Sequence, residues 1–291
     1  MDIFEDRSNI SFLGTLDINK VHHGDCLNLL RYIPDNSIDI IVTSPPYWGQ
    51  RTSLGVGVED DPRQYLDDQI KRFVAMKRVL KDDGILWINI GDAYNTPINW
   101  TSESRKYSTL GSKKTGLNEN NSAYTKPRHK RKAYIDNKSG WLKYGNLLAL
   151  PQRLIIGLCD EGYLFRSEVI WNKSNPMPEG LCRRPHRSHE PIYLFSKTDK
   201  HSFRTKPPVK TVWTIANEGN RGIKHMSRFP IDIPIKCIES FGKSGKEVVV
   251  LDPYSGSGTT CLAAISLGCS YIGFDIDPIM VEESNKLLND R

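Results

Sequence analysis

Apolar and polar positions first fall into a regular rhythm at Lys20-Val21-His22-His23, a short strand that ends at Gly24-Asp25. Residues 26–32 follow as a short helix with Leu27, Leu29 and Leu30 on its apolar side. Ile38-Asp39-Ile40-Ile41-Val42-Thr43 is a β-branched run that Ser44-Pro45-Pro46 must stop, because proline cannot continue a central ladder. Residues 64–80 carry Leu66, Ile70, Phe73, Val74 and Val79 at helical spacing, and Asp82-Asp83-Gly84 turns the chain into a strand over 85–90. Strand, helix, strand is a βαβ unit and predicts a parallel pair.

Beyond Asp92 the periodicity collapses. Residues 94–143 are rich in Asn, Ser, Lys and Gly, with isolated aromatics at Trp100, Tyr107, Tyr124 and Tyr134. So long an irregular connection in a compact domain is normally there for a function, and it reads as an insertion that orders on a ligand. Regular structure returns with a helix over 147–159, a strand over 163–171 and another over 190–196. Between the two strands, 172–189 is a proline-rich loop holding Arg183, Arg184 and Arg187, and 206–228 is irregular again and basic. The pattern is clearest at the end: helix 231–241, strand 248–251, helix 259–267, strand 270–274 and helix 278–289.

Charge changes this picture more than composition does. The chain has 291 residues and a formal charge of +6. Residues 100–143 hold eleven Lys and Arg against Glu103, Glu119 and Asp136, so the surplus of the whole chain resides in this one insertion. That is the distribution expected of a surface facing phosphates, although a solvated basic loop has the same composition. The 38% hydrophobic content is enough for a core, no run approaches the ~20 apolar residues of a membrane span, and residues 1–11 lack the apolar segment of a secretory signal. The expected setting is the cytoplasm of a prokaryotic cell. The six cysteines form no CxxC pair and no zinc pattern, so no metal and no disulfide is expected; Cys159, Cys237 and Cys261 read as small buried hydrophobes.

Two loops carry candidate chemistry. Asp252-Pro253-Tyr254-Ser255-Gly256-Ser257-Gly258-Thr259-Thr260 joins a strand to a helix, and Asp275 and Asp277 stand near the end of the next strand, where a carboxylate accepts from ribose hydroxyls. Glycines permit the tight turn and a close approach of ligand to backbone. No third glycine completes a dinucleotide fingerprint and no Lys-Ser or Lys-Thr pair completes a P-loop. Asp252, read as a charge at the mouth, suits a ligand with a positive sulfonium and amino group better than a phosphate. Thr43-Ser44-Pro45-Pro46-Tyr47-Trp48 lies at the C-terminal end of its strand, where open parallel sheets place their ligands. The Pro45 carbonyl and the Ser44 hydroxyl are two acceptors for one amino group, and Tyr47 offers a ring on which a planar base can stack, worth ~1–3 kcal/mol. A proline-terminated strand beside a core tyrosine would have the same sequence.

Together these residues resemble the amino-methyltransferases of DNA, of the class in which the catalytic motif precedes the donor motif. Ser44-Pro45-Pro46-Tyr47 matches that family's S/D/N-P-P-Y/F/W, and the Asp252–Thr260 loop resembles its D-P-F-x-G-S-G-T-T, with Tyr254 in place of the usual Phe. Gly24-Asp25, Gly273-Phe274-Asp275, Phe229-Pro230 and Trp171-x-Lys173 followed by Pro176 and Pro178 resemble its shorter motifs. The resemblance implies a Rossmann-like α/β fold: a mostly parallel seven-stranded sheet with one antiparallel strand, helices on both faces and a circularly permuted motif order. It implies S-adenosyl-L-methionine as cofactor, held by Asp25, Phe229, Pro230, Asp252, Pro253, Tyr254, Ser255, Gly256, Gly258, Thr259, Thr260 and Asp275. The catalytic residues it implies are Ser44, Pro45, Pro46 and Tyr47.

Residues 19–196 would form the catalytic half, with its insertion over 94–143. Residues 197–228, with the loop 172–189, would recognise DNA, and 229–291 would bind the donor. Arg183, Arg184, Arg187, Lys206 and Lys210 are candidate DNA contacts. Serine at the head of the catalytic motif is usual in cytosine-N4 enzymes, so the expected activity is site-specific N4 methylation of cytosine in double-stranded DNA, with the base flipped out. It would protect DNA from a cognate restriction endonuclease, and the enzyme would be a monomer or weak dimer. Adenine N6, an RNA or protein amide, and a non-catalytic DNA-binding module are the alternatives. The lack of a Pro-Cys pair in the loop argues against carbon-5 chemistry.

Overall fold

The computed structural model describes residues 12–49, 55–96, 136, 140–176, 183–204, 206–217 and 229–290. Most of the basic insertion, and parts of the 172–189 and 197–228 segments, therefore lie outside the described residues.

A small hairpin of β1 (Phe12–Leu13) and β2 (Leu16–Asp17) precedes the main sheet. That sheet has eight strands in the order β3 (Lys20–His23), β10 (Ser270–Asp275), β9 (Val249–Asp252), β4 (Ile38–Thr43), β5 (Leu80–Asn89), β7 (His189–Ser196), β6 (Leu164–Lys173) and β8 (Val212–Ile215). β7 runs antiparallel to both its neighbours and every other pairing is parallel. The expected mostly parallel sheet with one reversed strand is present. It gains β8 as an edge strand from a segment that reads as irregular in sequence, because Trp213 and Ile215 alternate with exposed Val212 and Thr214 over only four residues.

Successive side chains along a strand point to opposite faces, so each strand supplies two cores. Ile41, Leu86, Ile88, Phe195 and Phe274 pack on one face beneath α1 (Cys26–Leu30), α2 (Pro62–Val79) and α3 (Leu150–Asp160). Ile40, Val42, Trp87, Leu194 and Val250 face the other side, beneath α4 (Asp232–Ser240), α5 (Thr259–Ser266) and α6 (Pro278–Asn289). Helix starts follow local chemistry. The Asp61 and Asp277 side chains cap α2 and α6, each with proline in the first turn, and Lys77 and Arg78 close α2 where a helix end favours cations. α3 begins three residues later than its apolar pattern, because Ala149 is left-handed (φ 54°) and the Asp92 carboxylate accepts from the Ala149 and Leu150 amides at 2.8 and 3.0 Å. The Asp82-Asp83-Gly84 turn survives as a bulge inside β5, between the Ile38–Leu80 and Ile40–Ile85 pairs.

Cysteine burial departs from expectation at one position. Cys237 and Cys261 are buried, as are Cys26 and Cys269, but Cys159 is exposed because it sits on the outer side of the last turn of α3.

The chain order of the strands reverses between β4 and β9, which makes the gap above their C-terminal ends the switch point where ligands bind in such sheets. Beside it, β10 lies close to its neighbours at Gly273, where a Cβ would stand 2.9 Å from Val21 and 3.1 Å from Cys261 Sγ and Ser255 Cβ. Gly273→Ala should therefore cost about 1–3 kcal/mol of overpacking strain, read as a lower denaturant midpoint with an unchanged m-value.

Candidate active site

β4 and β9 deliver their C-terminal ends side by side, and one carboxylate locks the loops that follow. Asp252 is 2% exposed and accepts from Thr43 Oγ1 at 2.7 Å, from Thr260 Oγ1 at 2.6 Å and from the Tyr254 amide at 3.0 Å. Thr43 precedes Ser44 of the proline loop, and Thr260 opens α5 behind the glycine loop. The side chain that the sequence reading puts at the mouth is thus a buried tie beneath the cleft. Burial pushes its carboxyl up to about 6, against the hydroxyl and amide donors that favour the charged form.

The donor-type loop is shaped by its neighbours. The Ser255 amide and hydroxyl both donate to the Phe274 carbonyl, and the Gly256 amide donates to Asp275 Oδ2 at 2.9 Å. Gly256 and Gly258 are left-handed (φ 51° and 79°), and a Cβ on Gly256 would meet nothing within 4 Å, so this turn presents bare backbone to open space. Thr259 is half-buried and lies near Ser257. Beside the loop is an open cleft lined by Asp25, Pro46, Arg72, Pro253, Tyr254 and Asp275, among others. Asp25 caps α1 through Leu27 and forms an ion pair with Arg72 at 2.8 Å. A nucleoside with hydroxyl donors, an exocyclic amine and a cationic end fits this lining of carboxylates, aromatic ring and exposed backbone. Phe229 and Pro230 stand at the entry to α4, where Phe229 packs on the second core; the structure does not place them among the residues lining the cleft.

In the proline loop, Pro45 and Pro46 are buried while Ser44 and Tyr47 are half-exposed. Tyr65 donates to the Pro46 carbonyl at 2.9 Å, and among the described residues no hydrogen bond reaches the Pro45 carbonyl. The Tyr47 hydroxyl donates to Glu190 Oε2 at 2.9 Å, with Asn89 Oδ1 farther off at 3.4 Å. Burial and the facing Glu190 carboxylate hold the Tyr47 phenol well above the usual tyrosine range, so it stays a neutral donor. Glu190 is ion-paired in turn with Lys173, whose ammonium lies 4.4 Å above the Trp171 ring. The ring of Tyr47 leans on Gly91, where a Cβ would stand 2.6 Å from its Cε2.

Several participants were missed from sequence. Glu190 reads there only as the first residue of a strand. Arg72, Gln69 and Tyr65 lie on the apolar stripe of α2, and a polar residue at core spacing was the available signal. The second basic loop is more tethered than expected: Arg187 donates to the Asp92 carbonyl at 2.6 Å, and Arg184 stacks on Tyr94 at 4.1 Å. Arg183, His186, His189, Lys206 and Lys210 are exposed. Among the described residues no cluster of metal-ligating side chains occurs, and no helix is long and apolar enough to cross a membrane.

A mostly parallel sheet with a glycine-loop cleft and a proline loop at its switch point defines a Rossmann-like methyltransferase. Residues 38–286 match the family described as DNA methylase, and the chain belongs to that family of DNA-methylating enzymes. It is 34% identical over 286 residues to the Type II methyltransferase M.Cfr9I of Citrobacter freundii, covering 92% of this chain and 87% of that one. It is 32% identical over 293 residues to the Type II methyltransferase M.SmaI of Serratia marcescens, covering 95% and 92%. Among solved structures, the PvuII DNA methyltransferase (cytosine-N4-specific) superposes with a TM-score of 0.65 at 20% identity, covering 93% of this chain and 89% of that one. The M1.HpyAVI–SAM complex superposes with a TM-score of 0.55 at 16% identity, covering 92% and 98%. At these identities the structural likeness is one of fold.

Two outcomes follow from the geometry. With a carboxyl at about 6 folded and near 3.8 unfolded, the folded state binds the extra proton, so Asp252 lowers stability as pH rises from about 4 to 6, by up to ~3 kcal/mol. In Asp252→Asn that decline should vanish from denaturation curves collected across the same range. Gly91→Ala should displace the Tyr47 ring: catalytic turnover should fall at least ~10-fold while the far-ultraviolet circular dichroism spectrum stays unchanged.

Proposed function

We propose that this enzyme transfers a methyl group from S-adenosyl-L-methionine to N4 of cytosine at a specific sequence in double-stranded DNA. The observation that carries the reading is the Thr43–Asp252–Thr260 tie, which brings the proline loop and the glycine loop to one cleft lined by Pro46 from the first and Tyr254 from the second. Bound donor supplies an electrophilic methyl carbon on a sulfonium. Asp275, whose carboxylate the Gly256 and Asp277 amides keep in place, would accept from its ribose hydroxyls, Asp25 would meet its adenine amine, and Gly256 and Gly258 would admit it against the backbone. Pro253 and Tyr254 wall the cleft, and Asp252, Ser255, Thr259 and Thr260 hold the loop in shape.

On the substrate side, Ser44 Oγ and the Pro45 carbonyl accept the two hydrogens of an exocyclic amine. They favour a nitrogen whose lone pair turns out of the ring plane and stabilise the positive charge it gains; the new N–C bond would form as the donor's S–C bond breaks, and the nitrogen would then release one of its protons to solvent. The Tyr47 ring stacks on the base, and the Pro46 peptide sets the position of that ring. A paired base cannot reach this pocket, so it must leave the duplex. Exposed Arg183, Lys206 and Lys210, with the basic 94–143 insertion, grip phosphates, whereas Arg184 and Arg187 brace the loop. Residues 19–196 then act as the catalytic half, 229–291 as the donor half, and 197–228 with 172–189 as the recognition segment. Ser44 at the head of the proline loop supports cytosine over adenine. The Type II names of the relatives support a role beside a restriction endonuclease in a prokaryotic cytoplasm.

Incubation with labelled donor and mixed-sequence duplex, then digestion to nucleosides, tests this. N4-methylcytosine is expected, and Tyr47→Ala should lower the yield at least ~100-fold through lost stacking and orientation. N6-methyladenine as sole product overturns the choice of base. Label in RNA or protein but not in duplex overturns the choice of substrate.

A further inference from the structure

Helix α2 touches both loops through one buried stripe. Tyr65, 1% exposed, donates to the Pro46 carbonyl at 2.9 Å. Gln69, one turn on and 0% exposed, accepts from the Tyr254 hydroxyl through Oε1 at 3.4 Å. Its Nε2 has no hydrogen-bond partner among the described residues. Arg72, almost a turn further, donates to Asp25 at 2.8 Å and to Cys26 Sγ at 3.3 Å, and that thiol faces the Tyr254 hydroxyl at 3.8 Å. A set of polar contacts from neighbouring turns of α2 thus holds the base loop through Tyr65 and the donor loop through Gln69, with Arg72 reaching Asp25. The link it cannot lack is the Tyr254 hydroxyl, an atom that phenylalanine, usual at this place in the motif the loop resembles, does not have.

We propose that α2 is a bracket that sets the spacing between donor and target nitrogen, with Tyr65 and Gln69 as positioning residues coupled to the donor loop through the Tyr254 hydroxyl. This rests on the methyl-transfer reading. Neither residue touches a reacting atom. Rotation of the Pro46 peptide would carry the Pro45 carbonyl and the Tyr47 ring with it. A shift of about 1 Å between reacting groups costs on the order of 10²-fold in rate, so the bracket acts on turnover more than on binding.

The test compares full-length wild type, Tyr65→Phe, Tyr254→Phe and the double variant. Three quantities are read: the single-turnover methylation rate on duplex DNA, the calorimetric Kd for S-adenosylhomocysteine, and the folding constant from urea denaturation. Tyr65→Phe is expected to slow single turnover about 10-fold or more with the Kd changed less than about 2-fold, a pattern of lost orientation. Tyr254→Phe is expected to slow it about 3–10-fold, and the double variant to be no slower than Tyr65→Phe within about 2-fold, since coupled sites do not add. Losses that multiply, or an unchanged rate in folded Tyr65→Phe, overturn the bracket. If Tyr65→Phe does not fold, Gln69→Met takes its place in the cycle with the same expectations. Should wild type bind S-adenosylhomocysteine yet methylate no nucleic acid, the methyl-transfer reading fails by itself. The folding constants then decide the bracket: a double variant at least about 3-fold more stable than the product of single losses supports it, and additivity overturns it.

Discussion

A carboxylate taken out of water must find donors for its oxygens, and at Asp252 the donors come from three places in the chain. Thr43, Thr260 and the Tyr254 amide all point at it. Leaving one of these bonds unmade costs about 1–3 kcal/mol, so the β4 end and the α5 start cannot drift apart without penalty. Thr43 and Asp252 lie 209 positions apart in sequence. The glycine loop, the proline loop and the cleft between them inherit their geometry from this contact. The raised proton affinity of Asp252 is the visible sign that the tie is held against a desolvation cost.

The same logic governs the other ions of the site. Asp25 is matched by Arg72 and Glu190 by Lys173, each pair half-buried at the rim of the active region. These pairs do more than neutralise charge. Arg72 reaches Cys26 as well, and Glu190 holds the Tyr47 hydroxyl, so each cation steadies a side chain of the candidate site. The arginines of the 172–189 loop divide in the same way. Arg184 and Arg187 fold back on Tyr94 and the Asp92 carbonyl, whereas Arg183 stays at the surface. A count of basic residues in that loop therefore overstates what is free to meet phosphates.

Glycine acts at two contacts where backbone or ring must come close. Gly273 lets β10 sit against β3 and the donor loop, and Gly91 leaves room for the Tyr47 ring. The first lies inside a short motif visible in the sequence, but its packing role was not. The second follows the strand Leu80–Asn89 with no motif around it, and only the approach of a ring from 44 positions earlier explains it.

The sequence by itself determined the fold class, most strand and helix positions and the places of the proline loop and the glycine loop. Those properties are local: a β-branched run ended by Pro45-Pro46, a strand–glycine loop–helix, an aspartate followed by proline at a helix start. Their signals lie within a few residues, where hydrophobic period and backbone restriction operate. Tertiary structure alone decided that Asp252 is a buried tie and not a charge at the mouth, that Glu190 and Arg72 belong to the site, and that Val212–Ile215 completes the sheet. It also exposed Cys159. In each case the deciding partner is distant in sequence. Whether a polar side chain meets water or a donor, and whether four alternating residues find a ladder to join, depends on neighbours that only the folded chain supplies.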